Sequence, residues 1–172
     1  MIKLAVATCR SLPDWEVDDV PFYEALRGRG VDLELVNWDD DVRWADYSAC
    51  LIRTTWDYME RREAFVDWAT EVERHIPLWN PACVLEWNTD KKYLRDLEVR
   101  GVPIAPTLWL DRGQRYDVPS LMAEQGWRRG FIKPRVGATA RETLRFDLSE
   151  HQLAADHLQR VLRSEDMMMQ PY

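Results

Sequence analysis

Apolar and polar positions follow one another along the chain in short blocks whose period keeps changing. From Lys3 to Thr8 they form a run of small and branched side chains, which suits a strand buried on both faces. The stretch from Ser11 to Asp18 is polar. Val20, Tyr23, Ala25 and Leu26 then recur at helical spacing, and Gly28 and Gly30 close that helix. Asp32 to Trp38 alternates, with Leu33, Leu35 and Asn37 on one side and Glu34, Val36 and Trp38 on the other. Ala49 to Arg53 is a third apolar run, and Phe65, Trp68, Ala69, Val72 and Ile76 mark a second amphipathic helix. Leu78 to Asn80 reads as a short strand ended by the turn signal Asn80-Pro81. Strand, helix, strand, strand, helix, strand predicts a parallel α/β sheet, with its functional loops at the carboxyl ends of the strands.

Beyond Val84 the pattern changes. Asn88 or Thr89 is placed to cap a helix running through Glu98, with Tyr93, Leu94 and Leu97 on its buried face; Gly101 and Val102-Pro103 stop it. Pro103 and Pro106 flank an extended piece that continues to Leu110. A polar loop, Asp111 to Asp117, leads to a short helix from Val118 to Gln125, ended by Gly126. Gly130 to Pro134 reads as a strand, and Glu142 to Asp147 alternates and pairs with it. Ser149 with Gln152 gives a capping box for a helix through Arg163, and Met167 to Gln170 reads as a strand. Residues 1–84 therefore form one α/β domain and residues 85–172 an α+β one of similar size. Stopping directly after an apolar strand leads us to expect that the chain is part of a longer protein.

Composition narrows the function. Apolar residues are 46% and charged ones 31%, as in ordinary soluble proteins, and no internal repeat is visible. The net charge of −7 argues against a partner held by phosphate neutralisation, so no nucleic acid is expected. No apolar run approaches the roughly 18 residues of a membrane span, and the first ten residues are too soon interrupted for a signal peptide. Cys9, Cys50 and Cys83 are widely spaced with no CxxC, which fits a reducing cytoplasm rather than a disulfide framework or a zinc finger. Nine tryptophans point to a large aromatic core, or to a lining for flat ligands.

There is no GxSxG and no P-loop. The chain has only four lysines, against nineteen arginines. Lys3 reads as a strand flank, and Lys91 and Lys92 as a helix start. Lys133 lies in an apolar strand, where an ammonium must either reach solvent or meet an anion. The small residues that follow, from Val136 to Ala140, let backbone N–H groups approach a ligand, and Arg135 and Arg141 add positive charge. An ordinary hairpin turn is the other reading of that stretch. In the first domain, Arg53, Trp56, Asp57 and Tyr58 follow a strand at its carboxyl end. Arg53 suits a substrate carboxylate and Asp57 an amine; a local ion pair between the two, over Trp56, is the alternative. Thr8, Arg10 and Trp15 follow the first strand and are expected along the same crevice. Asp39, Asp40 and Asp41 read as solvated surface.

Four ordered motifs resemble the ATP-grasp superfamily: Asn88 to Leu94, Gly101 to Thr107, Phe131 to Pro134 and Met167 to Tyr172. The resemblance is to its glutathione-synthetase-like and D-alanine–D-alanine-ligase-like branch. Val42 to Trp44 and Ile52 to Tyr58 are similar to the small-ligase group that includes the cycloserine-forming ligase. The resemblance implies a Rossmann-like pre-ATP-grasp domain on the substrate side, then the first grasp subdomain on the nucleotide side. It implies that Lys91 and Lys133 contact ATP phosphates, and that the loop with Gly137, Ala138, Thr139 and Thr143 closes over them. Gln170, Pro171 and Tyr172 would border the adenine, and Arg53, Trp56, Asp57 and Tyr58 the substrate. The activity implied is an ATP-dependent carboxylate–amine ligase forming an amide through an acyl-phosphate. Its magnesium ligands would lie in a second subdomain beyond Tyr172, so no catalytic or metal-binding residue is expected here and the chain alone is expected to be inactive. The loop departs from many relatives in having one glycine. A non-catalytic ligand-binding or scaffold protein of ligase-like shape is the alternative, and a homo-oligomer pairing exposed strand edges is a further expectation.

Overall fold

The computed structural model describes residues 2–12 and 16–172. It divides into two compact units, Met1–Thr89 and Asp90–Tyr172. The first begins with β1 (Ile2–Thr8), α1 (Val20–Arg27), β2 (Val31–Asn37) and β3 (Ala49–Thr54). It continues with α2 (Arg62–Glu73), β4 (Leu78–Trp79) and α3 (Ala82–Asn88). Its four strands lie in the order β2-β1-β3-β4 and all pair in parallel. Central β1 is buried from Leu4 to Thr8, as an apolar run without alternation requires. Edge strand β2 alternates between half-buried and exposed positions.

One face of this sheet carries Ala5, Ala7, Cys50 and Val36 against Phe65, Ala69 and Val72 of α2. The other carries Leu4, Val6 and Ala49 against Tyr23 of α1. Aromatic residues concentrate in the first core. The Trp38 ring meets Phe65 edge-on at 5.3 Å and Trp68 at 6.0 Å, and Trp44 meets Trp68 at 6.0 Å. Trp56, Trp79 and Trp87 are exposed, so the tryptophans serve both as packing and as surface.

The second unit contains α4 (Tyr93–Val99), β5 (Leu108–Leu110), α5 (Val118–Gln125), β6 (Arg129–Pro134), β7 (Leu144–Asp147), α6 (His151–Val161) and β8 (Met167–Pro171). Its sheet runs β5-β8-β6-β7 and every pairing is antiparallel. Leu110, Ile132, Phe146, Met167 and Met169 pack on Val118 and Met122 of α5 and on Ala154, Leu158 and Val161 of α6. At Gly130 the strands come so close that an added Cβ would lie 3.3 Å from the Phe146 ring and 3.4 Å from the Gln170 carbonyl oxygen.

Three local expectations are corrected. The helix expected from a cap at Asn88 or Thr89 through Glu98 begins only at Tyr93, as α4, and an unexpected helix, α3, precedes it. Asn88 ends α3, and Asp90 caps the Lys92 N–H between them at 2.9 Å. The capping box ahead of α6 is built by Asp147 and Glu150, two residues upstream of the pair read from the sequence; the Asp147 N–H donates to Glu150 Oε2 at 2.9 Å. β7 begins at Leu144, because Glu142 still has a left-handed backbone with φ of 51°. Among the described residues, no helix is long and apolar enough to cross a membrane.

Candidate functional site

Alternation along β6 decides which side chains leave the core of the second unit. Gly130, Ile132 and Pro134 turn toward the helices, so Phe131 and Lys133 stand on the opposite face of the sheet. Register extends that face into two rows. Trp109, Met168 and Lys133 are cross-strand neighbours in one; Gln170, Phe131 and Arg145 are neighbours in the other. Lys133 Nζ lies 4.7 Å from the centre of the Phe131 ring, and among the described residues no carboxylate pairs with it. Burial lowers its pKa below the usual 10.5. A half-buried ammonium without an acceptor stands ready for an anion.

Lys91 meets it from another element. Its N–H donates to the Arg135 carbonyl at 3.1 Å, and its Nζ to the carbonyls of Arg135 at 3.2 Å and Gly137 at 2.9 Å. Burial lowers the pKa of Lys91 and the nearby charge of Lys133 lowers it further; Asp90 works weakly the other way. Lys91 thus grips the foot of the loop that begins at Val136.

In that loop the positive φ values fall on residues other than glycine: Thr139 at 52°, Ala140 at 57° and Glu142 at 51°. Each occupies a conformation that costs an L-residue about 1 kcal/mol or more. The role expected for Arg135 and Arg141, loose positive charge for a phosphate, is corrected. Arg135 is buried; it donates to Asp90 at 3.2 and 2.5 Å and to Asp166 at 2.7 Å. Arg141 donates through both Nη atoms to Glu165. Burial alone would raise the pKa of Asp90, but the Arg135 guanidinium and the Lys92 N–H together hold it below the usual carboxylate range. Both arginines are thus neutralised within the fold, whereas Lys133 shares its face of the sheet with Arg145.

Buried Gln170 donates from Nε2 to Thr107 Oγ1 at 2.8 Å. Pro171 pairs with Gly130, and Tyr172 has its ring beside the guanidiniums of Arg129 at 5.3 Å and Arg145 at 4.6 Å. Thr143 donates its N–H to the Ala140 carbonyl at 3.1 Å and closes the loop. The second unit therefore gathers Lys91, Lys133, the Gly137 loop and Gln170. A separate cavity of about 940 Å³ opens on its helical side, lined by Pro119, Ala123, Arg128, Arg129, Leu148 and His151 among others. It lies away from the lysines.

In the first unit Arg53 does pair with an aspartate, but with Asp19 rather than Asp57. Its Nε donates to Asp19 Oδ2 at 3.1 Å and its Nη2 to Oδ1, while Tyr23 Oη donates to Oδ2 at 3.0 Å. Arg53 holds the Asp19 carboxyl below its usual range against the effect of burial, and burial with the Asp19 hydrogen bond pushes the Tyr23 phenol up to about 12. Asp57 accepts from Trp38 Nε1 at 2.8 Å and lies 3.6 Å from Arg61. Trp56 is exposed, and Tyr58 packs on Phe65 at 5.6 Å.

Thr8 shares a 2.7 Å hydrogen bond with Thr54, and Arg10 pairs with Asp39 and Asp40; Trp15 lies outside the described residues. Asp39 is not solvated surface, since Arg10 and Arg61 enclose it to 18% side-chain exposure. Among the described residues, no three His, Cys, Asp or Glu side chains gather where they could hold a metal ion. Sequence reasoning missed Asp19, Phe131, Glu165 and Asp166. Only the adjacent acids just before the methionine run carried a signal, because carboxylates in front of a buried strand require partners.

Comparison with known proteins bears on the fold and on relatedness. Residues 4–80 match the family described as D-cycloserine synthetase DcsG, N-terminal domain. The cycloserine biosynthesis protein DcsG of Streptomyces lavendulae is 31% identical over 176 residues, a match that takes in 99% of this chain and 58% of that protein. The crystal structure of D-cycloserine synthetase DcsG superposes with a TM-score of 0.84 at 29% identity, over 99% of this chain and 59% of that one. A RimK domain ATP-grasp protein from Sphaerobacter thermophilus shares the fold, with a TM-score of 0.73 at 17% identity, over 99% of this chain and 64% of that one. The chain thus spans somewhat over half the length of the relatives it matches.

Proposed function

Because the chain is a homologue of the cycloserine synthetase DcsG and carries the ATP-grasp fold, we propose that it is the nucleotide-side and substrate-side portion of an ATP-dependent carboxylate–amine ligase. The observation that carries this reading is Lys133, a half-buried ammonium with which no carboxylate pairs among the described residues, its charge felt by Lys91 on a separate element. ATP, when bound, supplies a phosphoryl group that activates a carboxylate, so that an amine can replace phosphate and form an amide.

The residues here do the holding. Lys133 and Lys91 give charge-assisted contacts to phosphate oxygens, and the backbone of Gly137, Ala138 and Thr139 adds N–H donors over them, while Thr143 closes the loop through its bond to Ala140. Phe131 offers an apolar floor for a flat base, with Met168 buried beside it, and the carbonyl of Gln170, oriented through its bond to Thr107, is an acceptor at its edge. Pro171 and Tyr172 continue that border. Such groups act by positioning and by stabilising charge, which is most of what phosphoryl transfer asks of a protein. On the substrate side, Arg53 and Asp57 stand for the carboxylate and the amine, with Trp56 and Tyr58 beside them. Arg53 must then share its guanidinium between Asp19 and substrate. Magnesium ligands are expected from the second grasp subdomain; among the described residues no three His, Cys, Asp or Glu side chains gather to hold such an ion.

Calorimetric titration of ATP into the chain tests the reading. Saturable binding that weakens at least tenfold in Lys133→Met is the expected result. No binding, or binding indifferent to that substitution, would overturn it and favour a non-catalytic protein of the same shape.

A further inference from the structure

The loop between β6 and β7 is held from outside at both of its ends, and the two holds come from adjacent residues. At its start, Arg135 donates from Nη1 to Asp166 at 2.7 Å, and its N–H donates to the Asp166 carbonyl at 3.0 Å. At its finish, Arg141 donates bidentately to Glu165. The acids are themselves fixed. The Glu165 N–H donates to the Val161 carbonyl at the end of α6, at 3.1 Å, and Asp166 Oδ1 accepts the Arg112 N–H at 2.8 Å. A second clamp lies next to the first. Glu142 accepts from both Nη atoms of Arg160 on α6, at 2.9 and 2.5 Å, and its carbonyl is 3.0 Å from His157 Nε2. Between the clamps lie residues 136–140, whose tip, Thr139 and Ala140, is exposed and left-handed in backbone.

We propose that Glu165 and Asp166 are positioning residues that fix the two ends of this loop, so that its movement is confined to residues 136–140. This deepens the nucleotide reading and rests on it for the loop's purpose. A loop with one glycine does not need freedom along its whole length if its ends are set at the right separation. The left-handed pair Thr139 and Ala140 then acts as the pivot, and the N–H groups ahead of it, from Gly137 on, sweep a short arc over the phosphates. Bidentate pairs suit this task because they set direction as well as distance. Each end is joined to α6 or β8, so the loop inherits the position of the core beneath it.

Hydrogen exchange on the intact chain tests the anchoring. The Arg141 and Thr143 amides, which donate to Ala138 and Ala140 at 3.1 Å each, report on the loop. In Glu165→Gln they should exchange about tenfold faster, while the Ile132 and Met169 amides of the sheet keep their rates. The charge swap Arg141→Glu with Glu165→Arg should restore slow exchange. Unchanged loop exchange in Glu165→Gln, or acceleration spread equally through β6 and β8, would overturn the proposal.

ATP affinity provides the second readout. It should fall about fivefold in Glu165→Gln and recover in the swap, which loss of stability alone would not produce. Faster loop exchange with unaltered ATP affinity would overturn the positioning role. If the unaltered chain binds no ATP while exchange behaves as expected, the nucleotide reading falls and the double anchor stands.

Discussion

Lys133 is the residue on which most depends, and its chemistry predicts more than a loss of binding. Its pKa and that of Lys91 are lowered by burial, so between those lowered values and 10.5 the unfolded chain holds more protons than the folded one. Stability should therefore rise as pH rises through that window, and the penalty is complete below it. A bound polyphosphate reverses the shift by restoring the charged form. ATP binding just below pH 10.5 should then take up protons, measurable by calorimetry in buffers of different ionisation enthalpy. Proton release would contradict this geometry. Arg135 supports a different expectation. Its side chain is 7% exposed and answers two carboxylates, so Arg135→Ala should destabilise the second unit by about 3 kcal/mol or more in urea denaturation. A cost below about 1 kcal/mol would mean that Asp90 and Asp166 find water instead.

Elements differ in how plainly the chain announces them. β1 is an apolar run, α2 repeats Phe65, Ala69 and Val72 at helical spacing, and β6 alternates about Ile132, so period alone identifies all three. The break between α3 and α4 was not legible. It depends on Asp90 turning to Arg135, a residue 45 positions away, and local propensity carries no trace of such a partner. The same reason hid the true role of Arg135 and Arg141. Residue type showed two cations beside a small-residue loop, whereas the acids that neutralise them are Asp90, ahead of α4, and Glu165 and Asp166, just beyond α6. Lys133 stood out because lysine is scarce here and this one lies in an apolar strand, whereas Lys91 read as a helix start and only the resemblance to the ATP-grasp superfamily singled it out. Close packing between elements gives a further test. Gly130→Val would push a side chain into Phe146 and the Gln170 carbonyl, so thermal melting should show about 1–3 kcal/mol of destabilisation.

At the scale of the whole molecule, each unit has its own core, and different probes see each one. Seven of the nine tryptophans precede residue 90, so fluorescence follows mainly the first unit. Its thiols do the same. Cys9 and Cys50 are buried, with burial pushing the Cys50 thiol up to about 12, while Cys83 is exposed. A thiol reagent should titrate one cysteine in the native protein and three in denaturant; two or three fast-reacting thiols would show that the β1–β3 core opens readily. The order of strands in the second sheet has a consequence of another kind. β8 is the last strand of its sheet to be made, yet it sits between β5 and β6 and carries pairings to both. On a ribosome adding about 5–20 residues each second, β5 waits several seconds for its only partner. During that interval Leu108, Trp109 and Ile132 are synthesised but unsheltered, and a holding chaperone would find its client there.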